Sequence, residues 1–382
     1  MANEVAIIGV GLHPFGRHGD KLCLEMGADA SKDALADASV QWSDVQTAFI
    51  GSYEVSNPDA IVSWLGLTGI PVRGVFNGCA TGGTSLQMAA AAIRNGEADI
   101  AMAIGMDKHP RGAFAADPSV VGLPAWYGQT GMFLTTHFFG TKINRYMGLH
   151  GITLKTLAKV AAKNLYNGSI TPHAWRRKAL AVEEILDDAV VNYPLTRTMY
   201  CNPDEGAAAL VLCRGDLARN YTDAPVFVRA AELRSRRLGA FELQSPSLPL
   251  DTAPSPSVEA SVVAYETAGI GPEDVHVAQL QDTDAGSEVI HMAENGFCAD
   301  GEQEKWIAEG MTEIGGRLPV NTDGGLIANG EPIGASGLRQ IREIVLQLQG
   351  RAGDRQVDGN PRVGYTHLYG APGASAVTIL SR

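Results

Sequence analysis

Residues 28–50 and 258–280 superpose without a gap at a shift of 230, which lays Ala30 on Ala260, Ser31 on Ser261, Ala34 on Ala264, Ala38 on Ala268, Asp44 on Asp274 and Val45 on Val275. The alanines recur at helical spacing and the Asp-Val pair opens an apolar run, so each copy predicts a helix, a turn and a strand. Two further segments repeat. Asn77-Gly78-Cys79, followed by Gly82 and Leu86, matches Asn329-Gly330-Glu331, followed by Gly334 and Leu338; G-A-A-A-L-V-L from 206 matches G-A-S-A-V-T-I-L from 373. A chain that repeats a helix–strand unit in this way folds as two similar α/β halves. The halves are unequal: 127 residues separate Cys79 from Gly206 but 42 separate Glu331 from Gly373, so the first half carries 85 extra residues. An insertion of that length forms a unit of its own. The expected division is 1–107 and 201–222 for the first half, 108–200 for the insertion and 223–382 for the second half.

Periodicity predicts strands at 4–10, 44–51, 72–77, 98–105, 225–231, 274–281 and 374–380. It predicts helices at 20–38, after Cys79, near 130–148 and 153–166, and at 256–268 and 335–349. Cys79 therefore sits between an apolar strand and a long Ala-rich helix. A helix N-terminus offers unpaired N–H groups and a partial positive charge, which suit a nucleophilic thiol that takes an acyl group. The other reading of Cys79 is a small buried residue filling a helix–sheet seam.

A formal net charge of −12 argues against nucleic acid as a partner. The five cysteines at 23, 79, 201, 213 and 298 include no Cys-x-x-Cys pair, which fits free thiols in a reducing, cytoplasmic setting and gives no metal site. No apolar run is long enough to enter a bilayer as a span. No Gly-x-Gly-x-x-Gly follows a strand, so nothing points to a nicotinamide or flavin cofactor.

N-G-C-A-T-G-G-T-S-L-Q, D-E-G-A-A-A-L-V-L and N-G-E-P-I-G-A-S-G resemble the signature segments of the thiolase superfamily, in the family's order. More narrowly, the chain is similar to the sterol-carrier-protein-type thiolases, whose actinobacterial branch is often labelled lipid-transfer proteins. The resemblance implies a five-layer α/β/α/β/α duplication with the insertion as a lid in the first half. It also implies a homodimer, a coenzyme A thioester as substrate, and no tightly bound cofactor. Cys79 matches the acyl-accepting nucleophile, and Glu331 stands where the family has the histidine of Gly-His-Pro. Gln281-Asp282-Thr283 replaces a His-Asp-Cys, and His367 matches the histidine of a His-Asn-x-Gly-x-Gly-Gly segment from which Tyr369 and Pro372 depart.

The expected catalytic set is Cys79, Glu331 and His367, with the carboxylate of Glu331 raising the Cys79 pKa. Expected substrate contacts are Gln281, Asp282, Gly334, Gly370, Gly373, His137, Arg176 and Arg177. Among these, the Gly370–Gly373 turn would join Cys79 in holding an oxyanion. Arg176 and Arg177 either meet the phosphates of coenzyme A or form a solvated face. Gln281 either donates to a thioester oxygen or caps a loop, and one of Asp282 and Asp284 caps the helix beginning near Ala285. Lid residues Phe114, Trp126, Tyr127, Met132, Phe133, Phe138, Phe139 and Tyr146 either wall a broad apolar substrate or form the lid's own core and its dimer contact. The expected activity is acyl transfer on lipid or sterol side-chain CoA thioesters through a Cys79 acyl-enzyme. The alternatives are a retro-aldol carbon–carbon lyase working with an OB-fold partner subunit, and a non-catalytic acyl-CoA or lipid-binding subunit.

Overall fold

In a computed structural model of the chain, the two copies of the Asp-Val turn have one geometry. The Gln41 N–H donates to Asp44 Oδ2 at 2.9 Å, and the Gly271 N–H donates to Asp274 Oδ2 at 2.9 Å. The structure describes residues 4–112, 117–121, 124–131, 134–240, 252–371 and 373–382.

The first half contains β1 (Val5–Gly16), α1 (Cys23–Ala38), β2 (Thr47–Gly51), the single turn α2 (Val62–Leu65), β3 (Val72–Val75), α3 (Thr81–Arg94) and β4 (Ile100–Lys108). Then come α4 (Trp126–Gln129), α5 (Thr135–His150), α6 (Leu154–Ser169), α7 (Val182–Leu186) and the small hairpin of β5 (Val190–Asn192) and β6 (Leu195–Thr196). β7 (Glu205–Arg214) and β8 (Val226–Ser235) follow. The remainder is α8 (Pro256–Ala268), β9 (Val277–Leu280), α9 (Ala285–Glu294), α10 (Gln303–Ala308), α11 (Gly325–Asn329), α12 (Ile333–Gln349), β10 (Val363–Gly370) and β11 (Ala374–Ser381).

The strands run in the order β3-β2-β4-β7-β1-β8-β11-β10-β9. In this order, β2-β4-β7-β1 and β9-β10-β11-β8 share one pattern: a parallel pair followed by two antiparallel pairs. The two half-sheets meet where Ala6 and Ile7 of β1 pair with Phe227 and Val226 of β8. Helix α1 covers the outer face of the first half-sheet. Gly9 and Gly11 admit it, since a Cβ on either would fall 2.3 Å from Ala34 O or 2.1 Å from Ala30 O. Helices α3 and α12 fill the space between the half-sheets, and α8 and α9 cover the second one. These are the five layers of a thiolase-type duplication.

Several elements differ from the sequence reading. β1 continues to Gly16, and α12 starts at Ile333 because Pro332 supplies an extended cap ahead of it. A strand at Val363–Gly370, with bulky residues on both faces, carries His367. In the second half β10 turns into β11 within three residues. At the equivalent junction of the first half, the chain from 109 to 204 builds α4 to α7 and β5–β6 before returning as β7. Among the described residues, no helix is long and apolar enough to cross a membrane.

Candidate active site

Cys79 lies two residues before the first residue of α3, on a loop folded over its own helix. Gly78 takes a positive φ of 56°, the Thr81 N–H returns to Gly78 O at 3.0 Å, and the Asn77 N–H donates to Thr81 Oγ1 at 2.8 Å. The tip of the β10–β11 hairpin rests on this loop, so closely that a Cβ on Gly370 would stand 3.0 Å from the Cys79 N and 2.4 Å from Asn77 O. Glu331 occupies the matching loop before α12. Gly330 has φ 92°, the Glu331 N–H donates to Asn202 O at 2.8 Å, and Asp204 abuts Gly330. Each loop is thus held by the chain entering the last strand of the other half.

The two loops bring Cys79 beside Glu331, near enough for each side chain to shift the other's pKa. The same carboxylate accepts from Gln281 Nε2 at 2.7 Å on Oε1 and from Cys201 Sγ at 3.3 Å on Oε2. Glu331 is 1% exposed. It forms the floor of a cavity of about 330 Å³, with Phe139 and Thr135 of α5 on one wall and Tyr200, Cys201, Pro203 and Thr283 on others. Burial raises the Glu331 pKa above the ordinary carboxylate value. Burial, and then the adjoining carboxylate, push both Cys79 and Cys201 well above the ordinary thiol range. Both thiols are therefore neutral at rest, Cys201 donates to Glu331, and Glu331 is the carboxylate that adjoins Cys79.

The N-terminus of α12 is held by two residues that the sequence reading passed over. The Ile333 N–H donates to His109 Nε2 at 3.0 Å, and the Gly334 N–H donates to Asp107 Oδ2 at 2.6 Å. Because Nε2 accepts, the His109 proton resides on Nδ1, which lies 3.2 Å from Glu54 Oε1. Cys201 and Asp204 were also missed. The repeat contained the signal for both: if the chain entering β11 touches Cys79, the chain entering β7 should touch Glu331.

Several expected contacts are corrected. His367 does not join Cys79. Along β10, Leu368 faces Gly83 of α3, so the alternation of a strand turns His367 to the opposite face of the sheet. There it is fully buried, with Nε2 2.9 Å from Ser257 Oγ and 3.0 Å from Ser375 Oγ, and its ring packs on His291 at 4.4 Å. Burial, then His291, holds its pKa well below the ordinary histidine value. Gly334 has its N–H committed to Asp107, and Gly373 closes its own turn by donating to Gly370 O at 2.8 Å. Asp282 is fully buried and accepts from the Leu326 and Ile327 N–H groups at 2.6 and 3.2 Å, which ties down α11 rather than meeting substrate.

Arg176 is likewise structural: it donates to Tyr200 O at 2.7 Å, Ile327 O at 3.2 Å and Asn202 Oδ1 at 2.8 Å, clamping the Cys201 loop to α11. Arg177 is exposed and does not line the cavity, and His137 turns back on Gly131 O at 2.5 Å. Gln281 enters the site as a donor to Glu331 and Thr283. Asp284, not Asp282, caps α9 by accepting from the Gly286 and Ser287 N–H groups. Of the lid aromatics, Phe139 lines the cavity. Phe138 stacks in the core on Tyr369, Trp126 pairs with Tyr127, and Tyr146 bonds Asp300. Phe114, Met132 and Phe133 lie outside the described residues.

Two family models match the chain, the thiolase N-terminal domain over residues 5–176 and the thiolase C-terminal domain-like model over residues 246–382. The chain is 33% identical to the acetyl-CoA acetyltransferase of Methanothermobacter thermautotrophicus, over 99% of this chain and 100% of that one. It is 32% identical to sterol carrier protein 2 of Bos taurus, over 99% of this chain and 72% of the relative. A solved structure named as the Ltp2-ChsH2(DUF35) aldolase superposes with a TM-score of 0.87 at 23% identity, covering 99% of this chain and 98% of that chain, a likeness of fold.

Proposed function

We propose, for a chain that belongs to the thiolase family, that Cys79 takes an acyl group from a CoA thioester and that Glu331 is the base that frees its sulfur. The carrying observation is a buried carboxylate, Glu331, at the floor of a cavity and beside Cys79 on the matching loop. As the Cys79 sulfur bonds to the thioester carbonyl carbon, its proton passes to Glu331. The carbonyl electron pair moves to oxygen, beside the Cys79 N–H at the mouth of α3. When the pair returns, the carbon–sulfur bond to CoA breaks, and the departing thiolate takes the proton from Glu331. The acyl group then leaves to CoA or to a carbon acceptor. Phe139 and Tyr200 give the cavity an apolar wall suited to a lipid or sterol side chain, and the working form is a homodimer.

The test is intact-mass spectrometry after brief incubation with acyl-CoAs from acetyl to steroid-carboxyl, comparing wild type with Cys79→Ala. An adduct equal to the acyl mass, absent from the mutant, is the expected result. Binding of the esters without any adduct would sink the reading and leave a lyase or a carrier, to be separated by product analysis. A second reading is favoured by the superposition on a protein named an aldolase together with a partner. In it the chain cleaves carbon–carbon bonds of acyl-CoA side chains by retro-aldol chemistry with an OB-fold subunit. That reaction needs no acyl-cysteine, so it tolerates Cys79→Ala but not Glu331→Gln.

A further inference from the structure

Between β9 and α12 lies a seam of buried polar groups that have no partner among the described residues. Gln279 and Gln340 each leave both amide atoms unmatched, and so do Gln281 at Oε1, Ser336 at Oγ and Thr366 at Oγ1. All five residues are at most 1% exposed. The packing of β10 on α12 brings them together. A Cβ on Gly364 would stand 2.2 Å from Ile344 Cγ2, and one on Gly337 would stand 2.5 Å from Leu368 Cδ1. Thr366, midway between Gly364 and Leu368, therefore faces the turn of α12 between Gly337 and Ile344, which carries Gln340. Gln279 is the partner of Thr366 in the β9–β10 register and shares its face. Gln281, two residues on, lies on that face beside the turn of Ser336.

We propose that this seam binds a closed cluster of water, about two or three molecules, behind the amide that holds Glu331. The donor set selects water over an ion. A cation would satisfy the amide oxygens and leave each Nε2 stranded, and an anion would do the reverse. Water donates and accepts, so it answers both. The cluster is closed at its far end, where the same stripe of α12 is bonded within the protein. There Glu343 Oε1 accepts from Thr322 Oγ1 at 3.0 Å, from Gln347 Nε2 at 3.1 Å and from Arg355 Nε at 3.0 Å. At the near end Gln281 gives its Nε2 to Glu331 and to Thr283, which leaves its Oε1 to accept from the cluster. Water on Oε1 fixes the amide with nitrogen, not oxygen, toward the carboxylate. The cluster thus depends on these contacts and not on which reaction Glu331 serves.

The test is a high-resolution crystal structure of the full chain, together with oxygen-17 relaxation dispersion of the solvent to count long-lived internal water. Ordered water within hydrogen-bond reach of Gln279, Gln340, Thr366 and Gln281 Oε1 is the expected structure. Gln340→Leu should lower the dispersion amplitude by one or more waters. Thr366→Val, a methyl in place of a hydroxyl, carries the same expectation where leucine prevents folding. A dry seam with the Gln279 and Gln340 amides bonded to each other would overturn the proposal. So would an amplitude unchanged in the folded variant, or water that stops at Gln340 and leaves Gln281 Oε1 on a protein donor.

Discussion

Glu331 accepts hydrogen bonds from the Gln281 amide and the Cys201 thiol and adjoins Cys79, and each donor loses its partner if the carboxylate is replaced. Glu331→Gln keeps the shape but puts an N–H₂ group among donors, so acylation of Cys79 should slow by about a hundredfold. The pH dependence has a defined sign. The carboxylate is the active form and burial raises its pKa, so wild-type acylation should fall with pH through a value above the ordinary carboxylate range. Quenched-flow mass spectrometry between pH 5 and 8 checks this; the same acid limb in Glu331→Gln would assign it to another group.

Asp204 makes a second residue-scale prediction. Burial raises its pKa to about 7, partly offset by Arg17 and Arg176. A carboxyl raised in the fold binds its proton more tightly there than in the unfolded chain, so its contribution is full at low pH and is lost as pH rises toward that value. Thermal stability should fall between about pH 4 and 7 in wild type and less steeply in Asp204→Asn. Equal slopes would refute the assignment.

At the scale of elements, the crossing of α3 and α12 sets the separation of the two loops. A Cβ on Gly82 would stand 2.7 Å from Leu338 N and 2.8 Å from Gly337 Cα, backbone atoms that cannot rotate away. Gly82→Ala should therefore destabilise the fold by about 1–3 kcal/mol, measured by denaturant unfolding. Gly148 is a control within α5: nothing lies near its absent Cβ. Its replacement by alanine should stabilise by about 0.5–1 kcal/mol through helix propensity. The His109 contact belongs to this scale too, because it caps α12 two residues beyond Glu331. The repeat made α3 and α12 legible as equivalent helices. It did not reveal their caps, since Asp107 and His109 come from the end of β4 and have no local signature.

At the scale of the molecule, the sheet order ends at β3, whose outer edge carries no strand among the described residues. Near it, Tyr53 and Phe76 are 57% and 50% exposed with ring centroids 5.5 Å apart. A free strand edge beside exposed aromatics is a surface that pairing covers. A second copy of the chain, pairing along β3, is the occupant that the homodimer reading requires. Sedimentation should give twice the chain mass of 40.3 kDa, shifting to the single mass in Phe76→Glu. A wild-type monomer at micromolar concentration would rule the dimer out.

The sequence by itself determined the duplication, the layered α/β class, the placement of Cys79 and Glu331 on matching loops, and an aspartate cap at the start of α9. These depend on periodicity and on repeated spacing, which the chain displays along its length. Tertiary structure alone decided which face of β10 carries His367, because the phase of a strand's alternation has meaning only relative to the layer packed against it. It alone turned Arg176 from a solvated charge into a clamp on the Cys201 loop. And it alone delivered Cys201 to Glu331, 130 residues away, because that contact forms only when the end of the first half closes on the second half.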